Sequence, residues 1–169
     1  MWIQLILILL VIVTAVVSYI IRNNKKAEVN RYYGAAQKII KESCLDGAIK
    51  NNKQQWNQGM KIMVYLKWKA KPKQEYVFDP EKVVKIGRSL ESNDVCIRDI
   101  LVSAEHCRIF IYQGQLIIQD LNSSNGTWLK RGLHKEIVRG SAPLLSGDKL
   151  MIGNEKIDVT VFYFDLAFL

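Results

Sequence analysis

The feature that most constrains this chain is an apolar run that begins at its second residue. From Trp2 to Ile21 the sequence holds fourteen Leu, Ile or Val residues, and only three polar side chains interrupt them. A helix of about 20 residues is about 30 Å long, which matches the hydrocarbon thickness of a bilayer. A lone span must also satisfy its backbone hydrogen bonds internally. The run therefore predicts one transmembrane helix over residues 1–21.

A cleaved signal peptide is the alternative interpretation of this run. It would need a basic segment before the apolar core and small residues at a cleavage site. Here no charged side chain precedes the run, and the run ends in Tyr19-Ile20-Ile21-Arg22. We therefore expect an uncleaved single-pass anchor. Basic residues follow the run from Arg22 onward, and such residues flank membrane spans on the cytoplasmic side. The N-terminus would therefore lie outside and the rest of the chain in the cytoplasm.

The segment after the run carries the basic charge of the chain. Residues 22–85 contain 15 Lys or Arg and 6 Asp or Glu, a net of +9, whereas residues 86–169 contain 9 and 10, a net of −1. Apolar residues recur at spacings of three and four up to about Cys44, so residues 22–59 are expected to form a partly helical linker. Either this linker contacts anionic lipid or it is a solvated stalk. Nucleic-acid binding is not expected, because the basic charge lies outside the folded domain.

The cysteines predict neither a disulfide framework nor a metal centre. Cys44, Cys96 and Cys107 match no zinc or redox spacing, and an odd, sparse set favours a reducing compartment. His106 and Cys107 would point to opposite faces of a shared strand and could not chelate together. We expect no metal and no cofactor.

After Gly59 the periodicity changes to that of strands. Short runs with partial alternation are separated by turn residues, which is typical of an antiparallel β-sandwich. This pattern predicts an all-β domain over residues 60–164, followed by a tail at 165–169. The predicted strand segments are 60–70, 75–78, 83–86, 107–112, 115–119, 149–152 and 157–164.

Loop clusters between these strands make the prediction specific. They are Ile86-Gly-Arg88, Ser103-Ala-Glu-His106, the Asp120 to Trp128 segment with its Ser-Ser-Asn-Gly-Thr core, and the turn before Lys149. In this order they resemble the G-R, S-x-x-H, S-x-N-G-T and G-D features of the forkhead-associated (FHA) domain. The resemblance covers about residues 60–164. It implies an FHA-type sandwich that binds phosphothreonine peptides and has no catalytic activity.

Four side chains are candidates for contact with such a ligand. The Arg88 guanidinium can meet two phosphate oxygens at once, and the Ser103 and Ser124 hydroxyls can donate to the same group. Asn125 carries the amide donors and acceptor that suit a peptide backbone. The resemblance assigns these roles to these positions, and it implies a pocket that prefers phosphothreonine to phosphoserine. Taken alone, each of these residues would be an ordinary surface or turn residue.

Other motif residues are interpreted as structural: Gly87, His106, Gly126, Thr127 and Trp128. We expect His106 to brace the binding loops by hydrogen bonds and Trp128 to pack on the core. A Ser103/His106 catalytic pair is disfavoured, because the sequence shows no nucleophile elbow or oxyanion loop. The chain departs from the family pattern at Ala104, where a polar residue often contacts the peptide, and at Leu101, which is not basic.

These expectations define a membrane-anchored module that recruits proteins phosphorylated by a Ser/Thr kinase. The ligand would be a phosphothreonine-containing protein acting in trans. The alternative is an FHA-fold structural component of a membrane complex that does not read phosphate.

Overall fold

A computed structural model of the chain describes residues 2–48, 59–70 and 72–166, with the backbone alone at 44–48. The predicted linker between 49 and 58 and the tail at 167–169 lie outside the described residues. The chain divides into two compact units, Met1–Ala35 and Ala36–Leu169. Its elements are helix α1 (Trp2–Ala48) and strands β1 (Met60–Trp68), β2 (Gln74–Phe78), β3 (Val84–Gly87), β4 (Val95–Cys96), β5 (Cys107–Tyr112), β6 (Gln115–Asp120), β7 (Trp128–Arg131), β8 (His134–Ile137), β9 (Ser141–Pro143), β10 (Lys149–Ile152) and β11 (Glu155–Asp165).

Helix α1 includes the whole apolar run and continues without a break through Gly34. Its segment Trp2–Ser43 is long and apolar enough to cross a membrane, and the most apolar part of it is not buried within the protein. The aliphatic side chains of the run are exposed on all sides. Further along the helix, in the second unit, Ala36 and Ile40 are buried.

The strands form two sheets that face each other across one core. One sheet has the order β2-β1-β11-β10-β7-β8, and the other has the order β4-β3-β5-β6-β9. All neighbouring strands are antiparallel except β3 and β4. Aliphatic side chains from both sheets fill the core, with Leu66, Ile109 and Leu150 fully buried. The predicted all-β sandwich preceded by a helix is therefore confirmed.

The middle of the six-stranded sheet is buried on both faces. On β1, Val64 and Leu66 belong to the core cluster, while Met63 on the opposite face is 0% exposed. Phe162 lies directly across from Met63 on β11 and is also buried. The outer face of β10, β7 and β8 presents a row of exposed or half-buried charged side chains, which continues through Asp158 of β11 and Lys67 of β1.

Strand β7 corrects one expectation from the sequence. Leu129 is 2% exposed and belongs to the core, so alternation directs Trp128 to the opposite face. There the Lys135 ammonium lies 4.5 Å from the centre of the indole ring. The prediction that Trp128 packs on the core was wrong, because Leu129 takes the inward position.

Candidate functional site

Two loops meet where β3 ends. Arg88 follows the last residue of β3, and its backbone N–H donates to the Ser103 carbonyl at 2.9 Å. Its Nε donates to the Val102 carbonyl at 3.1 Å. This contact holds the stem of the side chain while the residue stays exposed. The guanidinium therefore has a fixed position with terminal N–H groups available to an anion.

Two serine hydroxyls lie in the same loop cluster. The Ser103 hydroxyl accepts a hydrogen bond from the Ser124 backbone N–H at 3.0 Å, and the two hydroxyl oxygens are 3.5 Å apart. Ser103 is half-buried and Ser124 is exposed. The structure thus brings together Arg88, Ser103 and Ser124, which the sequence predicts as phosphate-binding residues.

Asn125 joins this cluster through its side chain. Its Nδ2 donates to the Leu101 carbonyl at 2.8 Å, linking loops 24 residues apart in sequence. The residue is exposed, so its carbonyl oxygen can accept a hydrogen bond from an extended peptide laid over the loops. Leu101, one of the two departures from the family pattern, therefore contributes its main chain to the site. Ala104 likewise contributes its carbonyl, which accepts from the Ser89 N–H at 3.2 Å.

His106 is buried beneath the loops and bonds to two of them. Its Nδ1 accepts from the Ser103 backbone N–H at 3.1 Å, and its own carbonyl accepts from Leu121 at 2.9 Å. Burial lowers the pKa of His106, although the Gly126 backbone and the Asp120 carboxylate act in the opposite direction. The imidazole bonds to the main chain of Ser103, not to its hydroxyl. This geometry is that of a brace, not of a nucleophile and its base.

Asp120 organises the loop that carries Ser124. Its carboxylate accepts from the Ser123 hydroxyl and from the Thr127 hydroxyl, each at 2.6 Å, and from the Ser123 N–H at 3.0 Å. Burial alone would raise the pKa of Asp120, but these hydrogen bonds outweigh it and hold the pKa below its usual range. Thr127, predicted as structural, is fully buried. The neighbouring Cys107 thiol is also buried, which raises its pKa to about 12.

The two motif glycines are required by close approaches. A Cβ on Gly87 would lie 2.3 Å from the Ala104 carbonyl oxygen and 2.7 Å from Asn93 Oδ1. Gly126 has a φ of +73°, and a Cβ there would lie 2.7 Å from Ile137. A side chain at either position would meet these neighbours, so both glycines allow the loops to lie close to the sheet.

Two further positioning residues escaped the sequence analysis. Asn93 Nδ2 donates to the Ser89 and Ala104 carbonyls at 2.7 and 2.6 Å, which ties the two loops together. Asp99 accepts from the Leu101 N–H at 2.9 Å and from the Asn154 N–H at 2.7 Å. Both bonds lower the pKa of Asp99. Neither residue lies in a recognised motif, and their partners are main-chain groups that a sequence pattern does not reveal.

The site has the composition of an anion-binding surface. A guanidinium and two hydroxyls converge on an exposed loop cluster, with buried polar groups fixing them from below. Within the described ranges, no three His, Cys, Asp or Glu side chains are grouped closely enough to hold a metal ion.

Comparison with known proteins identifies the domain. Residues 84–153 match the family model of the FHA domain. This sandwich is an FHA domain. An FHA domain-containing protein of Arabidopsis thaliana is 36% identical over 77 residues, which are 45% of this chain and 19% of that protein. The chain thus spans about a fifth of the length of that curated relative.

Solved FHA domains resemble the structure. One, from a structural and functional analysis of phosphothreonine-dependent FHA domain interactions, has a TM-score of 0.50 and 26% identity, covering 58% of this chain and 95% of that one. EmbR of Mycobacterium tuberculosis, solved in complex with a low-affinity phosphopeptide, has the same TM-score and identity but is covered over 24% of its length. An Arabidopsis thaliana FHA domain has a TM-score of 0.53 at 24% identity, covering 68% of this chain and 95% of that one, which shows the shared fold.

Proposed function

We propose that this FHA domain binds phosphothreonine peptides through Arg88, Ser103 and Ser124, with Asn125 contacting the peptide backbone. The observation that carries the proposal is the fixed, exposed Arg88 guanidinium on a loop bonded to Ser103, whose hydroxyl meets Ser124. Charge-assisted bonds from a preorganised Arg are the strong contacts that a phosphate dianion requires. The phosphopeptide complex of EmbR, which is similar to this chain, supports the same ligand class.

Helix α1 supports the second part of the proposal, which is membrane anchoring. Its apolar segment is long enough to span a bilayer and is not buried in the protein, unlike a helix from a soluble core. Basic residues follow it from Arg22 onward. With the FHA domain on the cytoplasmic side, the chain recruits proteins phosphorylated by a Ser/Thr kinase to the membrane.

Binding of degenerate phosphopeptide libraries to the full chain in detergent tests the ligand class. We expect the phosphothreonine library to bind, the unphosphorylated library to fail, and phosphatase treatment to abolish binding. Arg88→Ala should weaken binding by about a hundredfold, because losing a charge-assisted contact costs about 2–3 kcal/mol and each 1.4 kcal/mol is tenfold. Lys82→Ala removes an exposed cation at the opposite end of β3 from Arg88 and serves as the control.

Two outcomes of this measurement count against the proposal. Equal binding by Arg88→Ala and wild type would place the site elsewhere. Failure of every phosphopeptide to bind a folded chain would favour the alternative, a structural component that does not read phosphate.

Protease protection tests the topology. Protease added to intact cells or spheroplasts should spare the FHA domain, whereas protease added after lysis should digest its exposed loops. A second readout is glycosylation, because Asn122 and Asn125 both begin acceptor sequences and would be modified only in a secretory lumen. Digestion from outside would overturn the cytoplasmic placement.

A further inference from the structure

Three lysines lie directly opposite one another on the outer face of the six-stranded sheet. The register pairs Lys135 of β8 with Lys130 of β7, and Lys130 with Lys149 of β10. The neighbouring Leu129 and Leu150 point into the core, so all three lysines face outward. Like charges directly across a strand pair destabilise a sheet, so this row opposes folding.

Neighbouring groups offset only part of this cost. Lys149 forms an ion pair with Asp158 at 2.6 Å, and Lys135 lies over the Trp128 ring. An edge lysine discourages sheets from pairing edge to edge, which accounts for Lys135 on the edge strand β8. It does not account for Lys130 and Lys149, because β7 and β10 are interior strands.

The turn between β7 and β8 carries an exposed apolar residue. Leu133 is 100% exposed, at a turn position where polar residues and glycine are usual. Ile137, the last residue of β8, is also exposed. An apolar tip beside a row of cations is the pattern of a surface that contacts the headgroup region of a membrane.

Within residues 86–169, the basic charge is concentrated on this part of the chain. Residues 128–149 contain five basic residues and two acidic ones, a net of +3. The rest of residues 86–169 contains four basic and eight acidic ones, a net of −4, and together they give the −1 of the whole segment. Within residues 86–169 the basic charge is therefore local, and it falls on the strands that carry the lysine row; residues 60–85 of the domain are also basic, with 7 Lys against 3 Asp or Glu, a net of +4.

Strand directions place this surface away from the phosphopeptide site. Each of the pairs β1/β11, β11/β10 and β10/β7 is antiparallel, so β7 runs opposite to β1. The β7–β8 turn therefore points toward the end of the sheet where the chain enters at Met60. Ser124 and Asn125 lie before β7, at its other end.

We propose that the outer face formed by Lys130, Leu133, Lys135 and Lys149, here called the hairpin face, binds anionic lipid headgroups. The lysines contact the headgroup phosphates while Leu133 enters the interfacial region. This contact turns the recognition loops away from the bilayer and toward soluble partners. The inference rests on the proposed membrane anchoring, since the anchor is what keeps the hairpin face near lipid.

Hydrogen exchange of the full chain in nanodiscs tests the proposal. Discs of phosphatidylcholine alone are compared with discs that also contain phosphatidylglycerol. We expect amides of the β7–β8 hairpin to exchange several-fold more slowly in the anionic discs, with the difference lost at high salt because the contact is screened. Amides of β5 and β6 should exchange equally in both.

Paired charge reversals identify the lysines. Lys130→Glu/Lys135→Glu should abolish the hairpin protection, whereas Lys69→Glu/Lys82→Glu, an equal charge change elsewhere on the domain, should retain it. Equal exchange in both lipids for the wild type would overturn the proposal. So would protection that appears only when an acidic polypeptide such as polyglutamate is added, since the surface would then be a protein contact.

Parallel measurements separate this proposal from those on which it rests. Phosphothreonine peptide binding is measured in the same discs and should be unchanged by either double reversal. Loss of the lipid contact with peptide binding intact rejects the hairpin face alone. A chain that does not remain with the discs during purification rejects the anchor instead.

Discussion

At the scale of single residues, buried and half-buried polar groups determine where the exposed candidate binding groups lie. His106 holds the Ser103 main chain and Asp120 holds Ser123 and Thr127, through bonds of 2.6 to 3.1 Å. A buried polar group without a partner is costly, so these bonds fix a single arrangement of the loops. The candidate phosphate-binding groups on the surface are therefore held in place by residues that lie beneath them.

His106 leads to a prediction about pH. Burial lowers its pKa in the folded state below the ordinary value of 6.5. As the pH falls, the imidazole is therefore protonated in the unfolded chain at a higher pH than in the folded chain. The free energy of unfolding should therefore be largest above pH 6.5 and decline below it as the pH approaches the folded-state pKa. His106→Asn can keep an acceptor for the Ser103 N–H but cannot titrate. It should be less stable overall, with a shallower decline between pH 7 and the folded-state pKa.

The other histidine provides the control for this measurement. His134 is 74% exposed on its side chain and lies 3.4 Å from Glu136, and the chain has two histidines in all. Denaturant unfolding of the full chain in detergent, followed at several pH values, should give His134→Asn the slope of the wild type. A wild-type slope in His106→Asn would show that another group causes the acid sensitivity.

The sequence predicts the candidate ligand-binding residues of this site, but it does not predict all of the residues that support them. Arg88, Ser103, Ser124 and Asn125 stand in short local motifs, and the structure places them in one loop cluster. Asp99 stands in no such motif. One of its partners is the main chain of Asn154, 55 residues away in sequence, so no local pattern points to the contact. Main-chain partners leave no trace in residue types, so only the fold reveals these contacts.

At the scale of elements, strands with an alternating apolar pattern are predictable and the others are not. Strands β5, β6 and β11 fall close to the predicted segments, because their inward side chains supply the core. Strand β8, with the sequence His-Lys-Glu-Ile, is exposed along its whole length and shows no such pattern. It exists because β7 beside it supplies hydrogen-bonding partners, which is a tertiary cause.

The loop between β4 and β5 gives a prediction at this scale. Asp99 accepts hydrogen bonds from both Leu101 and Asn154, and Leu101 in turn bonds to Asn125. Asp99→Ala should loosen the loop and weaken phosphopeptide binding by about tenfold, the effect of losing about 1.4 kcal/mol of hydrogen bonding. The melting temperature should fall by only a few degrees, because the core is unchanged.

Asp158→Ala is the matched control for Asp99→Ala. It removes an exposed carboxylate from β11, paired with Lys149, on a face that carries none of the recognition loops. Titration calorimetry with a phosphothreonine peptide should give this variant the wild-type affinity. If Asp99→Ala also bound like the wild type while its loop amides exchanged faster, the order of this loop would not matter for binding.

At the scale of the whole molecule, the apolar helix and the FHA domain occupy separate segments of the sequence. The exposed apolar run occupies the first unit, Met1–Ala35, and the FHA domain lies in the second, Ala36–Leu169. Residues 22–59, which follow the apolar run and precede the FHA domain in sequence, contain 8 Lys or Arg and 3 Asp or Glu, a net of +5. A basic connection of this kind suits the surface of an anionic membrane.

The positions of the threonines indicate whether the ligand of the FHA domain can come from the same chain. The sequence has three threonines, Thr14, Thr127 and Thr160. Thr14 lies within the apolar helix, Thr127 is fully buried, and Thr160 pairs with Tyr65 inside the sheet. None of them can reach the site as an extended phosphopeptide while the fold is intact, so we predict that the ligand binds in trans.

The one competing route within residues 22–59 is Ser43, the single serine or threonine of that segment. A tether would give it an effective concentration in the millimolar range, but it lacks the threonine methyl group and lies in helix α1, not in an extended strand. Mass spectrometry of the purified chain after kinase treatment, combined with binding of an added phosphothreonine peptide, distinguishes the two routes. We expect equal peptide affinity before and after treatment, and the same affinity in Ser43→Ala. A stoichiometric phosphate on Ser43 that blocks the added peptide, with binding restored in Ser43→Ala, would show instead that the domain is inhibited by its own chain.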